Sequence, residues 1–155
     1  IIDKSGPLHN PADRDHCLQY MTAIGLIFGT LTADHYEDQA AADPRIDALR
    51  ARMVVAEDKQ YSRDYLDPEK RSIANAVQVW FKDGSKTAKV AVEYPIGHRR
   101  RRQEGIPVLR AKARDAFAAH FGQDRTGPLM ELFDDRARLE AMPVHEFCAK
   151  LAKQS

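Results

Sequence analysis

The longest amphipathic pattern in the chain is "NPADRDHCLQYMTAIGLIFG", from Asn10 to Gly29. Leu18, Met21, Gly25 and Phe28 recur at spacings of three and four, and Cys17, Tyr20, Ile24 and Ile27 widen the stripe. The pattern predicts one helix buried on more than one side. Asn10 can cap free backbone N–H groups, Pro11 fits the first helical position, Asp13 and Asp15 complement the helix dipole, and Gly29 ends the run. Thr32 caps a short second helix through Tyr36 and Glu37. Asp43-Pro44 repeats the start signal and opens "RIDALRARM", with Ile46, Leu49 and Met53 on one face. Val54-Val55 predicts a short strand, and the residues behind it, through Ser72, a polar connection.

The period then falls to two. "AVQVWFK" and "AKVAVEYP" flank "DGSKT" and predict an antiparallel hairpin. Val77, Val79 and Phe81 share one face, Gln78, Trp80 and Lys82 the other, and Val90, Val92 and Tyr94 answer on the second strand. Asp83-Gly84 tolerates the positive φ of such a turn, and Pro95 ends the ladder because it has no N–H to donate. Three helices follow in the pattern: "IPVLRAKARDAFAAHF" closed by Gly122, then "GPLMELFDDRARLEAM", then "PVHEFCAKLAK", each with proline near its start. The order predicts an α+β fold, helices with an antiparallel hairpin sheet followed by C-terminal helices. The stripes Leu129-Leu132-Phe133 and Val144-Phe147-Leu151 call for a partner surface, so two copies of the chain are expected to pair.

Composition narrows the class. With 43% hydrophobic and 30% charged residues, the chain has the profile of a soluble globular protein, and no apolar run approaches the ~20 residues of a membrane span. The net charge of +1 argues against nucleic acid or a membrane surface as a global partner. Cys17 and Cys148 lie far apart without metal-ligand spacing and read as two buried thiols of a cytoplasmic protein. The chain opens at Ile1 without methionine, and "IIDK" reads as the end of a strand already under way, as expected of a piece of something longer.

Local charge is less even. From His98 to Lys112 there are five arginines and one lysine against a single glutamate. The Arg99–Arg102 run has three readings. A solvated turn is the plain one. A nucleic-acid-binding module would need interleaved aromatics or further basic patches, and finds none nearby. A site for a small polyanion uses arginine's bidentate grip on carboxylates. Spacing alone favours the solvated turn. A second cluster, Arg14 and His16 with Tyr20 one turn on, lies where free N–H groups of a helix start favour an anion. His9, His35, His120 and His145 have no partner pattern, and no Gly-rich phosphate loop, GxSxG, CxxC or HExxH is present. The residues alone reach a domain with a candidate carboxylate site.

The segments "GPLHNPADRDHCLQYMTAIGLIFGTLTADHYED", "DPRIDALRARM", "YLDPEKRSIANAVQVWFKDG", "VEYPIGHRRRRQEGIP" and "ARLEAMPVHEF" resemble the C-terminal part of the MmgE/PrpD family, in its dehydratase branch more than its cis-aconitate decarboxylases. The resemblance covers almost the whole chain in order. It implies a lid-type α+β domain over residues 1–103, incomplete at its N-terminus, and a C-terminal helical segment, 104–155, that returns to a large helical domain. It implies loss of water from 2-methylcitrate to give 2-methyl-cis-aconitate in propionate breakdown, with no cofactor, no metal and no iron–sulfur cluster. The implied partner is a tricarboxylate, contacted by Arg14 and His16 at the helix start and by His98 and Arg99 at the turn. The general acid and base are expected in the helical domain outside this chain, so none is assigned here and the isolated chain is expected to be inactive. A related decarboxylase or isomerase of the same family is the alternative.

Overall fold

The structure is a computed structural model and describes residues 2–152. Ile1, on which part of the expected strand end falls, lies outside the described residues, and residues 2–5 form no strand. The chain divides into two compact units, Ile1–Lys59 and Gln60–Ser155. The secondary structure is largely helical with one two-stranded antiparallel sheet, an α+β fold.

In the first unit the predicted long helix is two helices. α1 (Pro11–Asp15) is capped by Asn10, whose Oδ1 accepts from the Asp13 N–H at 2.9 Å. His16 and Cys17 then leave helical geometry, Cys17 at φ −123° and ψ 107°, and α2 (Leu18–Phe28) starts afresh. The break has a local cause. The Leu18 N–H, which a continuous helix would give to Arg14, donates instead to the Ile2 carbonyl at 2.7 Å. The apolar stripe itself begins only at Cys17, and Cys17, Tyr20, Ala23 and Ile24 form the buried core with Ile46. Gly29 closes α2 in the left-handed region at φ 69°. Thr32 caps a 3₁₀ turn over Ala33–Tyr36 as the sequence predicts, and α3 (Asp38–Ala41) follows. α4 (Pro44–Arg50) starts at the Asp43 cap and packs Ile46 on α2. Val54 and Val55 form no strand; Val54 is 92% exposed, with no partner strand to pair it.

In the second unit the expected polar connection contains α5 (Lys59–Leu66). The hairpin is present but shorter than its pattern. β1 (Asn75–Val77) pairs with β2 (Val90–Val92), Val77 opposite Val90. Nearer the turn Trp80 faces Lys86, so the register has slipped by one. Two residues on the first strand stand against three on the second, which is a bulge before the turn. Thr87 bridges it: its N–H donates to the Val79 carbonyl and its Oγ1 accepts from the Val79 N–H. The tip closes with the Gly84 N–H on the Phe81 carbonyl and Gly84 at φ 86°.

The helices after the hairpin begin earlier than their prolines suggest. α6 (Arg102–Phe121) grows directly out of a 3₁₀ turn at Arg99–Arg101, and α7 (Gln123–Asp134) starts at the Gly122 bend, so Pro107 and Pro128 lie inside the helices. Asp135 ends α7 and its side chain accepts from the Arg138 N–H, which starts α8 (Arg136–Ala141) where one continuous helix is predicted. α9 (Val144–Leu151) follows. Leu129, Met130 and Leu132 are buried within this unit, while Phe117, Phe133 and Phe147 join α6, α7 and α9 through ring contacts at 5.7 and 6.2 Å. Cys17 is buried as expected. Cys148, read from sequence as buried, is exposed, because α9 turns it off the face that carries Phe147. Among the described residues no helix is long and apolar enough to cross a membrane.

Candidate functional site

The four site residues read from the sequence fall in different units. Arg14 and His16 belong to the first, His98 and Arg99 to the second.

Arg14 is buried, 5% exposed, and its guanidinium already has partners: NH1 donates to the Tyr36 carbonyl at 2.6 Å and NH2 to Asp38 Oδ1 at 2.7 Å. It ties α1 to the segment that carries the 3₁₀ turn and α3. His16 is different. Its ring is more than half exposed, and Nδ1 lies 2.5 Å from Asp15 Oδ1 and 3.2 Å from the Ala12 carbonyl. Both neighbours are acceptors, so Nδ1 carries the proton and Nε2 is the nitrogen left for a ligand. Tyr20, grouped with His16 in the sequence, is part of the core. Its hydroxyl donates to the His35 carbonyl at 2.6 Å, and burial pushes it above its ordinary value.

In the second unit His98 and Arg99 line one open cavity of about 920 Å³, with Tyr65, Leu66, Pro68, Arg71, Ile73, Pro95 and Gly97. It is formed by the end of α5, the turn behind it and the Pro95–Arg99 turn. None of the nine lining residues is acidic, and two are arginines. Apolar walls lower the local dielectric and strengthen any pairing made there.

His98 is held in one tautomer. It caps the 3₁₀ turn, its Nδ1 accepting from the Arg100 N–H at 3.1 Å, and it packs on the Tyr94 ring at 4.6 Å. With Nδ1 occupied as an acceptor, the neutral ring keeps its hydrogen on Nε2. His98 is thus built as a hydrogen-bond donor and lacks a free lone pair to act as a base.

The four consecutive arginines have four environments. Arg99 faces the cavity without a carboxylate partner among the described residues. Arg100 donates to the Glu69 carbonyl and lies over the Tyr94 ring at 5.2 Å. Arg101 donates to the Tyr94 carbonyl at 3.0 Å and pairs with Glu104 at 2.6 Å, a pair that holds Glu104 below its ordinary value. Arg102 opens α6. Arg100 and Arg101 therefore fasten the turn, and Arg99 alone of the run lines the cavity.

Sequence reasoning misses Arg71. It lines the same cavity and has φ 49°, the one positive value outside glycine among the described residues. A glycine or asparagine at such a position signals a left-handed turn; an arginine does not. Among the described residues no three His, Cys, Asp or Glu side chains gather so as to hold a metal ion.

The arrangement can bind an anion, orient it by Nε2–H and guanidinium donors, and accommodate a hydrocarbon portion beside it. The profile of the MmgE/PrpD C-terminal domain matches residues 1–134. A 2-methylcitrate dehydratase of Cupriavidus necator is 58% identical over 95% of this chain. That of Salmonella typhimurium is 56% identical over 95%, and a mitochondrial 2-methylcitrate dehydratase of Yarrowia lipolytica 59% identical over 77%. The chain spans about 30% of the length of the two bacterial relatives and 22% of the third.

Proposed function

The chain belongs to the MmgE/PrpD family as its C-terminal domain, and we propose that the full-length protein is a hydro-lyase that removes water from 2-methylcitrate to give 2-methyl-cis-aconitate. The observation that carries the reading is the acid-free cavity of the second unit, with His98 and Arg99 on its wall, in a chain 56–58% identical to proteins named for that reaction.

The substrate has three carboxylates and one methyl group. A carboxylate suits Arg99, whose planar fork donates two parallel hydrogen bonds, and the Nε2–H of His98 gives a further donor. The walls of Leu66, Ile73, Pro68 and Pro95 suit the apolar part. In the first unit, taken by itself, the neutral His16 ring leaves Nε2 as an acceptor, suited to a hydroxyl donor rather than to a carboxylate. Arg14, although proposed from sequence as a contact, has both terminal nitrogens engaged and serves better as the tie that positions His16. Dehydration needs a base at carbon and an acid for the departing hydroxide. We assign neither to this chain, and the isolated chain is inactive under this reading. We place the enzyme in the cytoplasm, in keeping with its two free thiols. Nucleic acid is not a partner in this reading, since Arg100 and Arg101 are spent on the turn.

The test is to give purified full-length protein 2-methylcitrate, citrate and cis-aconitate and identify the products. Formation of 2-methyl-cis-aconitate is expected. Decarboxylation or isomerisation with no dehydration would replace this function by the family alternative.

A further inference from the structure

Arg71 has no role in what precedes. The residue is exposed, sits on the cavity wall, and its guanidinium makes no hydrogen bond or ion pair among the described residues. Its backbone, by contrast, is fully committed. The Lys70 and Arg71 N–H groups both donate to the Asp67 carbonyl, at 3.2 and 2.8 Å, and the Ser72 N–H donates to the Asp64 carbonyl at 3.3 Å. Ser72 is fully buried, so the chain must turn inward immediately after Arg71. That one-turn closure demands the left-handed conformation at position 71, where glycine meets no steric penalty and an arginine does. The backbone is therefore better served by glycine. A long cationic side chain held at a strained position, without a partner inside the unit, points to a use outside it.

The direction of that use comes from the cavity. Arg71 arrives from the turn behind α5, and Arg99 and His98 from the turn before α6. The second turn is itself bound to the first, because Arg100 donates to the Glu69 carbonyl. Two separate loops thus place an arginine each on the wall of one concavity that has no acidic lining residue. We infer that Arg71 is a substrate-binding residue, pairing through its guanidinium with a carboxylate of the polycarboxylate held by Arg99 and His98. The inference rests on the dehydratase reading of that cavity. The strained φ is the backbone cost of delivering the side chain there, and Lys70, one residue earlier, is bound instead to Asp64 at 2.8 Å and unavailable for the task.

The experiment uses the full-length protein with R71G, R71K and R102A, comparing KM and kcat for 2-methylcitrate and thermal unfolding. R71G removes the side chain and relieves the backbone. It should unfold at the same or a higher temperature while KM rises about tenfold or more, with kcat less affected, the signature of lost ground-state and transition-state binding together. R71K, with charge but no fork, should fall between. R102A removes an equal charge from outside the cavity wall and should leave KM within about twofold. An inactive wild type would remove the dehydratase reading itself. An active wild type with R71G within about twofold in KM would overturn the role of Arg71 alone. So would a lowered unfolding temperature in R71G, which marks a structural residue, or an equal KM rise in R102A, which marks a diffuse field.

Discussion

At Gly105 the first turn of α6 passes so close to the Pro95–Arg99 turn that a Cβ would lie 2.4 Å from the Ile96 carbonyl oxygen. Two effects compete when alanine is placed there. Alanine favours a helix over glycine by about 1 kcal/mol. The clash is with backbone, which cannot rotate away, and overpacking of this kind costs roughly 1–3 kcal/mol. The clash should win, so G105A should lower the denaturant midpoint. An unchanged or raised midpoint would mean that the turn is free to shift, and the cavity wall with it. Other residues teach how much a sequence can disclose. Charge against a balanced background marks the arginine run but favours a solvated turn, and only the family resemblance singles out His98 and Arg99 as candidates. That Arg100 and Arg101 differ from Arg99 is not legible, since their partners are carbonyls of Glu69 and Tyr94, supplied by the fold. Arg71 leaves no signal because the turn it occupies is closed by backbone bonds from Asp67 and Asp64 rather than by a telltale glycine.

Among the elements, the hairpin is readable from its two-residue period and Asp83-Gly84, whereas its bulge depends on Thr87 bonding Val79 and is invisible to periodicity. The breaks at His16–Cys17 and at Asp135 escape pattern reading because their causes are not periodic: a distant carbonyl redirects the backbone at the first, just before the apolar stripe begins, and a side-chain cap does so at the second. α5 is missed because it has no buried stripe. Its apolar residues Tyr65 and Leu66, 63% and 77% exposed, line the cavity instead of a core. What holds the end of α5 to its following turn is Asp64, which accepts from Lys70 Nζ at 2.8 Å and Gln60 Nε2 at 2.6 Å. The Lys70 hydrogen bond, followed by that of Gln60, outweighs partial burial and keeps the Asp64 carboxyl below its ordinary 3.8. A carboxyl lowered by folding adds stability that is complete above the unfolded value and is lost as pH falls through the folded one. The advantage of the parent over D64N should therefore be constant above about pH 5 and shrink as pH drops below 3.8. Equal acid sensitivity of parent and D64N in urea titrations would contradict the pairing.

As a whole molecule, the chain has two units whose division at Lys59–Gln60 follows no obvious composition change. The first has its own core around Tyr20, Ile24 and Ile46; the second closes its helices through Leu129 and Leu132 and leaves the hairpin's Val90 and Val92 exposed at 64% and 44%. Function, on this account, concentrates in a small part of the second unit, where two turns bring positive charge and an oriented imidazole to one apolar-walled space. The claim that selects Arg99 from its three neighbours is open to a direct measurement, the KM of full-length R99A for 2-methylcitrate beside its unfolding temperature. A hydrogen bond to a charged group is worth about 1.5–3 kcal/mol, so KM should rise about tenfold or more while the unfolding temperature stays unchanged. A KM within about twofold of wild type would show that the cavity does not hold the substrate's carboxylate.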